Sequence, residues 1–188
     1  MAKEKLLLVG AGGFGRMAAE QAISRYDCAF IDDGQRPGTV ICGIPVIGGV
    51  ADLGEIRRDY NYLVACIGNN KIRAGIYEQA TVQGYSFPNI IAASVYISPF
   101  AHLGVGCVVL QNACIQNGAA IGNGVLINSG VEIHCDALVH DYALIYSNSV
   151  IRSYAQIGRF ARVGSNVTIS NNRIIPEDAD VQDGMNLR

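Results

Sequence analysis

The chain has 188 residues, a formal net charge of −2 and three lysines, Lys3, Lys5 and Lys71. A nucleic-acid-binding face needs a basic stripe, and this composition supplies none, so the expected partner is a small or non-anionic molecule. The length allows one domain or two of roughly 90 residues each. The two halves differ enough in rhythm to favour two, residues 1–90 and 91–188.

In chain order, the apolar run LLLVGAG follows Lys3 and Lys5. It is too short, and too soon broken by glycine, for a signal peptide or a membrane span, so the chain reads as cytoplasmic with no membrane insertion. KLLLVG predicts a buried strand, FGRMAAEQAISRY a helix and CAFIDD a second strand. TVICGIPVIGG predicts a short strand or hairpin, and VADLGEIRRD a helix. NYLVACIG then gives a third strand and NKIRAGIYEQATVQG a helix ended by Gly84. Strands alternating with helices imply an α/β, Rossmann-like parallel sheet that takes its ligand at the carboxyl ends of the strands. The boundary falls within FPNIIAASVY, residues 87–96.

Beyond it every sixth residue from Ile97 through Ile133 and Ile157 to Val181 is Ile, Leu or Val. A second track two residues earlier, including Ala101, Cys107, Ala119, Ala137, Ser149 and Ala161, holds small side chains suited to tight corners. Period six matches neither a helix nor a simple strand, but it fits short strands joined by turns. The six cysteines, Cys28, Cys42, Cys66, Cys107, Cys114 and Cys135, form no CxxC pair and sit mostly in apolar runs, so they read as reduced, packed thiols.

GAGGFG, Gly10 to Gly15, follows a predicted strand and opens a helix, with Asp32 and Asp33 closing the next strand. Such glycines let backbone N–H groups approach a phosphate. Only about 90 residues precede the repeat, roughly half a dinucleotide fold. Nucleotide-sugar or other phosphate binding, a dinucleotide, and a ligand-free tight turn all remain open. Asn69 and Asn70 in ACIGNN can read a base or ribose, or cap the next helix.

The hexads resemble the left-handed parallel β-helix, in which three make a coil of 18 residues. LLLVGAGGFGR, FIDD, LVACIGNNKIRAGIYEQ and ISPFAHLG followed by hexads are similar, over nearly the whole chain, to the bacterial nucleotide-sugar acetyltransferases of the NeuD/PglD type. The resemblance implies a Rossmann-like domain for a UDP-sugar-like molecule joined to a homotrimeric β-helix that uses acetyl-CoA as co-substrate, with no metal. It makes Gly10, Gly12, Gly13, Asp32, Asp33, Gly68, Asn69 and Asn70 the sugar-nucleotide contacts. In register, the position of the family's catalytic histidine holds Cys135; Asp136 matches the following carboxylate, and His134 falls one residue early. A second family histidine, associated with acetyl-CoA, is replaced by Leu144, and no GVPAK-like segment follows DGMNLR.

The expected mechanism is direct attack on the thioester after proton abstraction, with His134 or His140 as base and Asp136 orienting it. Coil geometry puts Gln116 and Arg152 beside His134, and the arginine is expected to keep the imidazole neutral. Cys135 is the weaker base, because a free thiol titrates near ~8.5. Arg152, Arg159 and Arg162 meet CoA phosphates or keep an outer face soluble; Arg152 and Arg162 are the cofactor candidates. Two rivals stand beside the enzyme: a non-catalytic nucleotide-sugar-binding or scaffold protein, and a zinc carbonic-anhydrase-like enzyme using His102, His134 and His140.

Overall fold

The computed structural model describes residues 3–188 and divides into two compact units, Met1–Ile90 and Ile91–Arg188. In the first unit the apolar runs form strands β1 (Glu4–Val9), β2 (Tyr26–Ile31), β3 (Val40–Ile41), β4 (Ile44–Gly48) and β5 (Tyr62–Ala65), in sheet order β3-β4-β2-β1-β5. Helices α1 (Gly13–Ala22), the short α2 (Leu53–Ile56) and α3 (Asn70–Val82) connect them. Leu6, Leu7, Leu8 and Val9 are all fully buried, as a strand covered on both faces requires.

The expectation of a parallel sheet needs one correction. β1, β2, β4 and β5 are parallel, but β3 pairs antiparallel with β4. The cause is the tight turn Cys42–Gly43, where both residues take positive φ, 53° and 78°, and fold the chain back as a hairpin. The order also places a switch point between β1 and β5, since the chain builds outward from β1 through β2 to β4 and then returns to β1's other edge. In sheets of this kind a ligand is expected outside the carboxyl ends of the strands at such a point.

The second unit is a left-handed parallel β-helix of two-residue strands in three sheets of six, five and six. Partners are offset by 18 residues, as in Cys114↔Glu132 and Ala120↔Leu138, so three hexads make one coil. The first face runs from Tyr96–Ile97 through Glu132–Ile133 to Asn186–Leu187. The second runs from His102–Leu103 through Leu138–Val139 to Ile174–Ile175, and the third from Ile90–Ile91 through Leu144–Ile145 to Asp180–Val181. The sixth-residue aliphatics and the small corner residues form one buried core. Ser149 is the polar member of the small-residue track; its hydroxyl donates to the Gly164 carbonyl at 2.6 Å and accepts the Val167 N–H at 3.0 Å.

Corners need a left-handed residue, which Gly, Asn and Asp supply readily. Tyr142, Tyr154 and Phe160 nevertheless hold φ near +60° at such corners. Tyr142 and Phe160, one coil apart, stack at 5.7 Å with the Arg159 guanidinium 4.2 Å from the Phe160 ring centroid. The packing offsets the backbone cost and commits Arg159 to an outer corner. Among the described residues, no helix is long and apolar enough to cross a membrane.

Candidate functional site

The glycine loop leaves the carboxyl end of β1. Gly10 has φ +97°, and its N–H donates to the Ile31 carbonyl at 2.9 Å. A methyl on Gly15 would overlap the Gly10 carbonyl, so the last glycine exists to let α1 start against the loop. Gly12 and Gly13 differ: a methyl on either would meet nothing within 4 Å. Their exposed backbone lies at the start of α1, where N–H groups lack intrahelical acceptors.

Asp32 and Asp33 brace this end of the sheet. Asp32 accepts the Ala11 N–H at 2.7 Å and the Gly34 N–H at 2.9 Å, and Asp33 accepts the Val50 N–H at 2.8 Å. Gly68, with open space at its Cα, belongs to the neighbouring loop after β5. Asn69 caps α3, its side-chain oxygen receiving the Lys71 and Ile72 N–H groups at 3.1 Å each. The two loops touch, because a Cβ on Gly10 would lie 3.0 Å from the Ile67 side chain.

Arg73, which the motifs did not single out, is fully buried beneath the second loop. It donates to the Ile67 carbonyl at 2.6 Å and to the Asn70 side-chain oxygen at 2.9 Å, so it ties the backbone before Gly68 to the side chain that opens α3. A charge in NKIRAGIYEQ ordinarily reads as a solvated helix face. The signal that identifies it is spacing: Arg73 shares the α3 stripe of Ile76, Tyr77 and Ala80, all buried. Beside it, burial pushes the Cys66 thiol up to about 12 despite the arginine's opposing pull.

In the β-helix, strand alternation sends Ile133 into the core and turns Glu132 and His134 outward on the first face. Their side chains meet, His134 Nε2 lying 3.2 Å from Glu132 Oε2. The side-chain partner the structure gives His134 is thus the carboxylate two residues back, whereas coil register alone had suggested Arg152. Cys135 Sγ donates to Gln116 Oε1 at 3.5 Å. Asp136 occupies a left-handed corner, φ +58°, with its carboxylate against Gly118 of the preceding coil. It does not orient the imidazole.

One to three coils further along the same face a cavity of about 440 Å³ is lined by Arg152, Thr168, Ser170, Asn186 and Arg188. Arg152 continues the column that contains Gln116 and His134, so the imidazole and the cationic cavity share one side of the prism. The other candidates lie elsewhere. His140 is exposed on the second face beside a shallow cavity of about 220 Å³ formed over Ala120 and Gly122. Arg162 is on the third face, bonded to Asp180 at 2.6 Å and lying over Tyr146. Leu144, on that face too, is fully buried. Among the described residues no group of three or more His, Cys, Asp or Glu side chains could hold a metal ion.

A Rossmann-like unit with an open glycine loop, followed by a left-handed β-helix bearing an outward imidazole, defines a two-unit hexapeptide-repeat protein. Residues 5–80 match the family model of the PglD N-terminal domain. Over nearly its full length the chain is similar in fold to solved sugar acetyltransferase structures. It superposes on the acetyltransferase domain of PglB from Neisseria gonorrhoeae with a TM-score of 0.93 and 27% identity, covering 99% of this chain and 92% of that one. The same domain in complex with acetyl coenzyme A gives 0.88 and 29%, covering 98% and 96%. Perosamine N-acetyltransferase from Caulobacter crescentus, at 24% identity and a TM-score of 0.81 over 98% and 92% of the two chains, shares the fold.

Proposed function

We propose that the protein transfers an acetyl group from acetyl-CoA to an amine or hydroxyl of a nucleotide-linked sugar, working as a homotrimer in the cytoplasm. The observation that carries this reading is the near-complete likeness to a PglB acetyltransferase domain crystallised with acetyl coenzyme A. The open backbone at Gly12, Gly13 and Gly68 suits the phosphates of the sugar nucleotide, with Gly10, Asp32, Asp33, Asn69 and Asn70 holding the loops that present it. The six cysteines are all thiols and Cys42 is exposed, which suits a reducing compartment.

In the β-helix, His134 takes a proton from the acceptor as its nitrogen or oxygen attacks the thioester carbonyl. The C–S bond then breaks, and the CoA thiolate leaves with that proton. Arg152, with Arg188, supplies guanidinium groups for the CoA phosphates, a role for which Arg162 is less free because Asp180 already holds it. His140 serves as an alternative base only if another subunit brings substrate to the second face. Incubation with acetyl-CoA and a panel of UDP- and GDP-amino-sugars, followed by mass spectrometry of the sugar nucleotide, tests the proposal; acetylated product is expected.

Cys135 at the expected histidine position and the buried Leu144 at the second favour one other reading, a sugar-nucleotide-binding protein that has lost the chemistry. Tight binding of a sugar nucleotide with no acetyl transfer to any member of the panel would establish it.

A further inference from the structure

Relocating the imidazole by one residue leaves it without the following carboxylate, since Asp136 is turned toward Gly118. Glu132 stands in its place. Residues 132 and 134 are alternate positions on one strand edge, so their side chains share the outward side while Ile133 anchors the backbone in the core. The contact is between Nε2 and Oε2 at 3.2 Å, with side chains 27% and 53% exposed for His134 and Glu132. Around the pair stand Cys114 and Val150 on either side of Glu132, Gln116 and Arg152 on either side of His134, and Cys135 next in sequence. Gln116 is engaged by the Cys135 thiol, Arg152 has only donors, and Val150 has no polar atom. Glu132 is thus the side chain whose oxygen meets the ring.

We infer that Glu132 is the positioning residue for His134: by accepting the Nε2–H it holds the imidazole in one tautomer and leaves the Nδ1 lone pair as the proton acceptor. The ring nitrogen that works is set by the bond the other nitrogen makes. During acyl transfer the acceptor's N–H or O–H proton moves to Nδ1 as the C–N or C–O bond forms. The thioester C–S bond breaks, its electron pair goes to sulfur, and the imidazolium returns the proton to the thiolate. Glu132 keeps its negative charge throughout and faces the imidazolium at the moment it exists. This rests on His134 being the base of the proposed reaction, and the carboxylate involved is neither Asp136 nor any residue of the second face.

The test separates the dyad from the reaction. The full-length protein, labelled with ¹⁵N-histidine, has three histidines, and His102→Gln and His140→Gln variants assign the remaining signal to His134. Long-range proton–nitrogen correlation on the neutral ring is expected to show the Nε2–H tautomer in the wild type and a mixture of both tautomers in Glu132→Ala. Glu132→Gln, whose carbonyl oxygen still accepts the Nε2–H, is expected to keep the tautomer. In the acetyl-transfer assay Glu132→Ala is expected to lower kcat roughly 10- to 100-fold, less than the roughly 10²- to 10⁴-fold that loss of the general base itself would cost, with KM for both substrates within about twofold. Glu132→Gln should fall between Glu132→Ala and wild type. An Nδ1–H tautomer in the wild type, a tautomer indifferent to Glu132→Ala, or an unchanged kcat would overturn the inference. If the wild type transfers no acetyl group, the reaction proposal fails, and the nitrogen spectra still decide whether Glu132 sets the ring.

Discussion

Gly13 separates the ligand role of the glycine loop from its structural role. It is the first residue of α1, its φ is not positive, and an added methyl meets nothing within 4 Å. Gly13→Ala therefore removes backbone freedom from the unfolded chain without strain and is expected to stabilise the N-terminal unit by up to about 1 kcal/mol. If a phosphate sits against this backbone, the methyl occupies its place and costs at least one hydrogen bond to a charged group, about 1.5–3 kcal/mol. That is roughly a 10- to 100-fold rise in Kd. Thermal unfolding and isothermal titration with a UDP- or GDP-sugar should move in opposite directions, the protein becoming slightly more stable and binding much less ligand. Gly15→Ala, whose methyl overlaps the Gly10 carbonyl, should instead lose both together. A Gly13→Ala protein that binds as tightly as wild type would refute the placement of the phosphate.

Two further perturbations probe the two units separately. Ser149→Val fills its corner as Val131 and Val167 fill theirs but orphans the Val167 N–H and the Gly164 carbonyl, so a loss of about 1–3 kcal/mol is expected from thermal unfolding of the β-helix; a variant as stable as wild type would show that the corner needs volume rather than the hydroxyl. In the N-terminal unit, burial raises Cys66 from 9.0 to about 12. The unfolded thiol ionises first, so the stabilisation is complete below pH 9 and is lost as the pH climbs from 9 toward 12, at up to about 1.4 kcal/mol per pH unit. Denaturant unfolding across that range should show a shallower alkaline decline in Cys66→Ala, and an unaltered slope would dismiss the buried thiol as its source.

The β-helix was readable because one constraint repeats: every coil must bury an aliphatic residue at the same place, so Ile133, Ile151 and Ile169 announce the stack without reference to anything else. The glycine loop was readable for a related reason, as backbone geometry restricts the residue type at Gly10 and Gly15. Side-chain pairing is constrained less. Register set Arg152 one coil from His134, but a glutamate two residues away on the same strand reaches the ring as well, and the side-chain rotamer decides between them. Arg73 was obscured because charge outweighs position in a first reading of a helix, although its place in the buried stripe of α3 was visible. Tyr142, Tyr154 and Phe160 at left-handed corners run against the residue preferences that normally mark such turns.

Acetyl transfer by wild-type protein and by His134→Ala, with acetyl-CoA and each sugar nucleotide in turn, bears most directly on the central claim. Acetylated sugar from the wild type, with kcat reduced about 10²- to 10⁴-fold in the variant and sugar-nucleotide binding retained, is the predicted result. Equal turnover by the two proteins would contradict His134 as the base, and bound sugar nucleotide with no product from the wild type would contradict the enzyme itself.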